Sequence, residues 1–326
     1  MRVVTGGIAH VAGVVERDLC ERAVVLRKQH VEALADVVAC ALACRSANTA
    51  EWQSVLPRRV GDEKSKERFI SRVLASEKIS PLAVMRCFIP EIAQMAGAGG
   101  KTVILMMDQS KIAQGFECLM VSMRTGERAI PVAWMVKKTS GGIGFDAQKP
   151  LLDEVLAMMP QDANILLAAD RFYGTAALIK WCQKHGWNYR IRLRENLILH
   201  HDGGEITTGE AAKAGMTALM NAALNETQVK THIGICHEKG HREAWIIAMH
   251  DTPSTARVLD YGMRWGIEPM FSDFKSRGFG ITKTQLQHED RIERLILVLT
   301  LALYWAASTG MQPKPTRQTQ KKKRAA

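Results

Sequence analysis

No cysteine pair in this sequence has CxxC spacing, although seven cysteines are present, at positions 20, 40, 44, 87, 118, 182 and 236. Their odd number and scatter exclude a zinc ribbon and a disulfide framework, and fit reduced thiols in a cytosolic protein. Cys236, His237 and His241 resemble a ligand set only faintly, and read better as a half-buried strand followed by a polar turn. An apolar run of membrane-spanning length is also missing. The longest candidate, residues 295–307, covers thirteen positions and reads as a buried core helix. No long apolar segment follows Met1, so no signal peptide is expected. Acids are absent from the last sixteen residues, which carry Lys314, Arg317, Lys321, Lys322, Lys323 and Arg324. That basic tail, residues 311–326, is expected to be solvated and disordered, able to meet phosphate without reading sequence. Without its six charges the net charge falls from +11 to +5, so the body is moderately basic.

The 326 residues suffice for one large domain or two medium ones. Apolar positions recur at helical spacing over residues 13–44, and residues 62–75 and 81–95 read as two further helices. Pro81 suits a first turn, Pro90 should kink or split its helix, and Gly97 suits a helix end. The Gly/Ala segment 97–100 is taken as a linker, which sets residues 1–99 apart as a helical region. Arg58, Arg59, Lys64, Lys66 and Arg68 give it a basic cluster suited to phosphate contact.

After the linker the periodicity changes. Residues 103–107, 116–123 and 129–136 read as three strands, the last two joined through the turn 124–127. A helix over 150–159, a fully apolar strand over 165–169, a helix over 175–185 and a strand over 187–193 follow. Antiparallel strands followed by helix–strand units give the order of a ribonuclease H-like α/β fold. A strand apolar on both sides belongs in a sheet covered on both faces. The pattern breaks over about 194–250, long enough for a subdomain of its own, where strands at 229–235 and 244–249 are expected. Helical periodicity returns at Val258 and runs past Glu268. The catalytic unit is thus expected to span residues 100–310.

Two aspartates each end an apolar run, Asp108 after residues 103–107 and Asp170 after residues 165–169. Downstream, Tyr261, Arg264, Glu268 and Lys275 form the spacing Tyr-x2-Arg-x3-Glu-x6-Lys. Four fixed types at fixed offsets arise by chance in such a chain about once in five hundred, so the joint pattern carries weight. On one helix these four would share a face. Carboxylates are the ligands that hold Mg²⁺ or Mn²⁺, and a planar cation and a hydroxyl suit phosphate oxygens. Alone, Arg264 and Glu268 would read as an i,i+4 ion pair on a solvated helix. Asp146, Asp153, Glu154 and Asp162 are better placed as helix-start acids, Glu117 and Glu127 as exposed acids of the hairpin. Asp273 falls off the shared face. Trp265 fits either base stacking or core packing.

Over roughly residues 101–308 these features resemble an insertion-sequence DDE transposase of the Tyr/Arg/Glu/Lys signature subgroup. By position, Asp108, Asp170 and Glu268 match the family's catalytic and metal-binding triad, and Tyr261, Arg264 and Lys275 its DNA- and phosphate-binding partners. The stretch from Asp170 through Arg171, Phe172 and Tyr173 to Gly174 resembles the turn after the family's second aspartate. Ser110 stands where the family has Thr, and keeps the hydroxyl. The resemblance implies strand cleavage at element ends and transfer into target DNA, two Mg²⁺ or Mn²⁺ ions, a homodimer assembled on DNA, and a cytoplasmic, nucleoid-associated setting. A metal-dependent nuclease of the same fold and a non-enzymatic DNA-binding derivative are the alternatives. A ribonuclease H would need neither the insertion nor the N-terminal region, and a derivative would be expected to have lost an acid.

Overall fold

Backbone pairing accounts for the order of the whole sheet. The computed structural model describes residues 6–97, 102–201, 204–237, 240 and 243–311. Strand β1 (Val103–Ala113) pairs antiparallel with β2 (Phe116–Thr125), which pairs antiparallel with β3 (Arg128–Lys138). Gly126 at φ 62° makes the tight β2–β3 turn possible, because a left-handed backbone disfavours any side chain there. On its other edge β1 pairs in parallel with β4 (Ile165–Ala169), and β4 in parallel with β5 (Asn188–Arg192). All five residues of β4 are buried, as a strand apolar on both sides requires. The order β3-β2-β1-β4-β5 is that of a ribonuclease H-like fold.

The segment expected to form an inserted subdomain extends this sheet. It comprises β6 (Ile198–His201), β7 (Gly204–Thr207), β8 (Ala218–Leu224), β9 (Val229–Cys236) and β10 (Trp245–Met249). Strand β10 pairs antiparallel with β5, so ten strands run in the order β3-β2-β1-β4-β5-β10-β9-β8-β6-β7. The expected strand 229–235 and most of 244–249 are present. Residues 202–203, and His241 of the faint ligand set, lie outside the described residues.

Twelve helices are found among the described residues. In the N-terminal region they are α1 (Gly7–Glu21), α2 (Lys28–Cys44), α3 (Thr49–Val55), α4 (Glu63–Ala75), α5 (Pro81–Arg86) and α6 (Ile89–Ala96). The stretch 13–44 is therefore two helices, broken where Ala23 adopts φ 52°. The stretch 81–95 is split as Pro90 demands, with that proline in the first turn of α6 and Gly97 at its end. Asn48, Asp62 and Ser80 each accept a backbone N–H at a helix start. Most of the proposed linker lies outside the described residues.

Helix α7 (Phe145–Met158) starts five residues before the expected position and carries Pro150 inside it. Helices α8 (Ala176–Lys184), α9 (Thr208–Lys213), α10 (Thr255–Leu259), α11 (Ile267–Phe274) and α12 (Glu289–Met311) complete the set. Helix α12 is the expected core helix, with every residue from Leu295 through Ala302 buried. It packs on α2, α4 and β3. No described helix is long and apolar enough to cross a membrane. Helix α12 also covers the edge of the sheet. Val136 and Lys138 of β3 donate backbone N–H groups to the carboxylates of Glu293 and Glu289, so that edge has no open ladder there. Side chains of α1–α6, the sheet and α12 share one apolar core. Of the C-terminal tail, residues 312–326 lie outside the described residues.

Candidate active site

The parallel ladder brings the two aspartates together. Met107 of β1 pairs with Ala169 of β4, and each is followed by its aspartate, so Asp108 and Asp170 emerge side by side on neighbouring strands. Asp108 is not at a strand end, as β1 runs five residues further; it marks the place where β4 stops. Asp170 caps its own turn. Its Oδ1 accepts from the Phe172 N–H at 2.6 Å and its carbonyl from the Tyr173 N–H at 2.9 Å. Gly174 lets that turn lie against β5, since a Cβ there would sit 2.5 Å from the Arg192 carbonyl oxygen.

The tetrad is not on one continuous α-helix. Helix α10 passes into a 3-10 segment, Asp260–Gly266, and α11 begins at Ile267. In a 3-10 turn residues three apart eclipse, which stacks Arg264 over Tyr261 and lets its Nε donate to the Tyr261 hydroxyl at 3.2 Å. Lys275 lies just past the end of α11 and reaches back to β1, where its Nζ donates to the Ser110 hydroxyl. The segment docks on the hairpin through Arg124, whose Nη1 donates to the Met263 carbonyl at 3.1 Å.

Arg264 joins the halves of the site. Its Nη1 lies 2.9 Å from Asp108 Oδ2 and its Nη2 2.9 Å from Glu268 Oε1, while the residue is only 6% exposed. Burial opposes its charge, but Tyr261, Asp108 and Glu268 outweigh that and hold its pKa above the ordinary arginine value. Asp108 shifts the other way from a normal carboxylate ion. Burial raises its pKa, Asp170 and Glu268 add to the rise, and Arg264 and the Gln109 N–H oppose it. Burial likewise raises the Tyr261 phenol and lowers the Lys275 ammonium, with Glu117 and Asp108 opposing the latter.

The donor set is all carboxylate oxygen, which suits hard divalent cations such as Mg²⁺ or Mn²⁺. Mutual electrostatic influence among Asp108, Asp170 and Glu268 is what a shared cation would relieve. The Tyr173 hydroxyl, buried beside both aspartates, has no hydrogen-bond partner, so a polar ligand atom would satisfy it. Among the described residues no three ligand side chains already form a metal cluster, since the Arg264 guanidinium stands between Asp108 and Glu268. The residues present therefore fit the ions in chemistry, with Arg264 tying two of them.

The other acids fall outside this set, with one revision. Asp153 accepts from Lys149 and Trp181, and Asp273 faces Arg128 at 3.5 Å. Glu117 is not simply exposed. It accepts from the Gln109 amide at 3.2 Å and acts on Lys275. Trp265 is 43% exposed and meets Trp245 edge-on, with ring centroids 5.6 Å apart.

Several supporting residues carried no motif. Gln109 holds the loop after β3 by donating to the Gly141 carbonyl and accepting from the Ile143 N–H. Gly142 lies so close under the Phe172 ring that a Cβ would overlap it at 1.8 Å. Buried Arg190 of β5 donates to Asp251 at 2.8 Å and to the Arg257 carbonyl at 3.0 Å, and faces Asp260 at 3.7 Å, thereby fixing the chain just before Tyr261. No sequence signal marked it, since β5 also carries Asn188 and Arg192. In the N-terminal basic cluster, Arg58 is committed to fully buried Asp36 at 2.7 Å and lies over the Phe69 ring. It is thereby withdrawn from the expected phosphate contacts.

Residues 145–305 match the family model of the transposase DDE domain. That span includes Asp170 and the whole Tyr/Arg/Glu/Lys tetrad and begins after Asp108. The match supports a DDE transposase and DNA as its partner. No curated protein matches the chain.

Proposed function

We propose that this chain is a DDE transposase of the Tyr/Arg/Glu/Lys subgroup, which cuts DNA at the ends of its own mobile element and joins the freed 3′-hydroxyl to target DNA. Asp108, Asp170 and Glu268 are the catalytic and metal-holding carboxylates of this reading, and Tyr261, Arg264 and Lys275 its phosphate-binding partners. The observation that carries it is the meeting of these six residues from β1, the end of β4, the 3-10 segment, the first turn of α11 and the residue after it.

The division of labour follows from the contacts. Asp108 and Asp170, set side by side by the sheet, would hold two Mg²⁺ or Mn²⁺ ions together with Glu268. Such ions would supply water activation and charge neutralisation at the scissile phosphate. Arg264 keeps Asp108 and Glu268 from repelling each other, and its delocalised charge suits a phosphodiester oxygen. Tyr261 orients that guanidinium. Lys275, anchored on Ser110, presents a second cation beside Asp108. The hairpin-ended DNA intermediate associated with this tetrad belongs to the same proposal, as do assembly as a homodimer on DNA, residues 1–99 as a DNA-binding or dimerisation region, and a nucleoid-associated cytoplasmic setting.

A duplex ending in the element's inverted repeat, mixed with a target plasmid, protein and Mg²⁺, tests this reading. Joined products flanked by a short target duplication are expected. Cleaved ends that never join would reduce the protein to a nuclease, and DNA bound but uncut would reduce it to a binding derivative.

A further inference from the structure

Three neighbouring grooves lie across the N-terminal helices, the first bordering the segment that follows Lys275. The first, about 530 Å³, starts at Ser276, the residue after Lys275, and is lined by Arg45, Lys283 and the hydroxyls of Thr49 and Thr282. It shares Thr49 with a second groove flanked by Arg291. The second shares Glu67 and Ser71 with a third, about 760 Å³, whose wall on α4 carries Lys64, Arg68 and Arg72. These shared lining residues set the three grooves side by side, and together they form a trough.

Basic residues outnumber acids along its walls. Arg22, Arg58, Arg190 and Arg294 are each held by a carboxylate. Among the described residues Arg45, Lys64, Arg68, Arg72 and Lys283 form no ion pair, and all five are exposed. Two acids, Glu51 and Glu67, also line the trough, and Glu51 accepts from the Asn48 amide. Unpaired cations beside hydroxyls, following a line, match the regular negative charge of a nucleic-acid backbone, and such contacts position a duplex without reading its bases.

We infer that this trough carries the sugar–phosphate backbone of duplex DNA leading away from the scissile phosphate, from Lys275 past Arg45 and Lys283 to α4. The inference rests on the transposase reading and adds to it a path and a set of residues. Helices α2 and α4 pack on α12, so the trough exists only in the full chain.

The test is duplex binding by the full chain across a series of KCl concentrations, with a random-sequence duplex because backbone contacts do not depend on sequence. Each lost phosphate contact should lower the slope of log affinity against log salt by about 0.9. R45A/K283A should therefore lose a slope of about 2, and K64A/R68A/R72A about 3. K180A/K184A, on exposed positions of α8 outside the trough, should keep the wild-type slope. Lysine acetylation of the unmodified protein gives an independent reading: DNA should protect Lys64 and Lys283 and leave Lys180 and Lys184 reactive. If the wild-type chain binds the duplex but the trough variants keep its slope and Lys64 and Lys283 stay reactive, the trough is overturned and the transposase reading stands. If the wild-type chain binds no duplex at all, both fall.

Discussion

Arg264 and Asp108 are 156 positions apart in the chain, yet Nη1 of one lies 2.9 Å from Oδ2 of the other. That ion pair connects the sheet half of the site to the half carrying Glu268, and it decides how the site responds to substitution.

Arg264→Ala leaves Asp108 partly buried without its cation. A loss of about 1–3 kcal/mol is expected from the unpaired group, alongside loss of cleavage. The Lys275 ammonium has the Ser110 hydroxyl as its one hydrogen-bond partner among the described residues and lies over the Phe271 ring, so Lys275→Ala should lower cleavage while costing less stability than Arg264→Ala. Urea unfolding and cleavage on the same preparations would separate the two. An unfolded Lys275→Ala variant would make that lysine structural.

Arg190→Ala should destabilise by about 3–5 kcal/mol, because it strips the partner from Asp251 and frees the chain before Tyr261. Arg190→Lys should recover little, since one ammonium cannot reach Asp251, the Arg257 carbonyl and the Tyr189 carbonyl together. Full rescue by lysine in urea unfolding would contradict this.

Gly174→Ala and Gly142→Ala should differ. At Gly174 the obstacle is backbone, the Arg192 carbonyl, and a cost of about 1–3 kcal/mol is expected with a displaced Asp170 turn. At Gly142 the obstacle is the partly exposed Phe172 ring, which can swing away. Thermal unfolding of the two variants should rank Gly174→Ala as the less stable, and the reverse order would overturn the close-approach argument.

Burial raises the Glu293 carboxyl pKa, against the Val136 N–H, which lowers it. The folded state therefore holds this proton more tightly than the unfolded state. Its contribution is present below the unfolded carboxylate value and is lost as pH rises through the raised folded value. Glu293→Gln keeps an acceptor for Val136 and removes the titration. Its stability relative to wild type should climb over that window and stay level above it. A difference that does not vary with pH would remove the burial argument for Glu293.

Much of the site was legible because local pattern and backbone register coincide. The two apolar runs announced strands, and equal phasing of Asp108 and Asp170 after them became adjacency once β1 and β4 paired. The tetrad's spacing was legible, but its winding was not: the 3-10 segment contains Gly262 and Gly266, and a helical count cannot tell 3-10 from α turns over so few residues. The break at Ala23 had no signal, since alanine favours helix. Arg58 with Asp36, Gln109 with Gly141, and Arg190 with Asp251 depend on contacts between distant segments, which periodicity does not encode.

The most direct test of the central claim is Mg²⁺-dependent cutting of an end-labelled terminal-repeat duplex by Asp108→Asn, Asp170→Asn and Glu268→Gln. Each variant should bind the duplex as wild type does and cut it more than about a hundredfold more slowly, a loss that follows even from disturbing groups that only support a metal ligand. Cutting at the wild-type rate by any one of the three would remove that residue from the catalytic set and contradict the account.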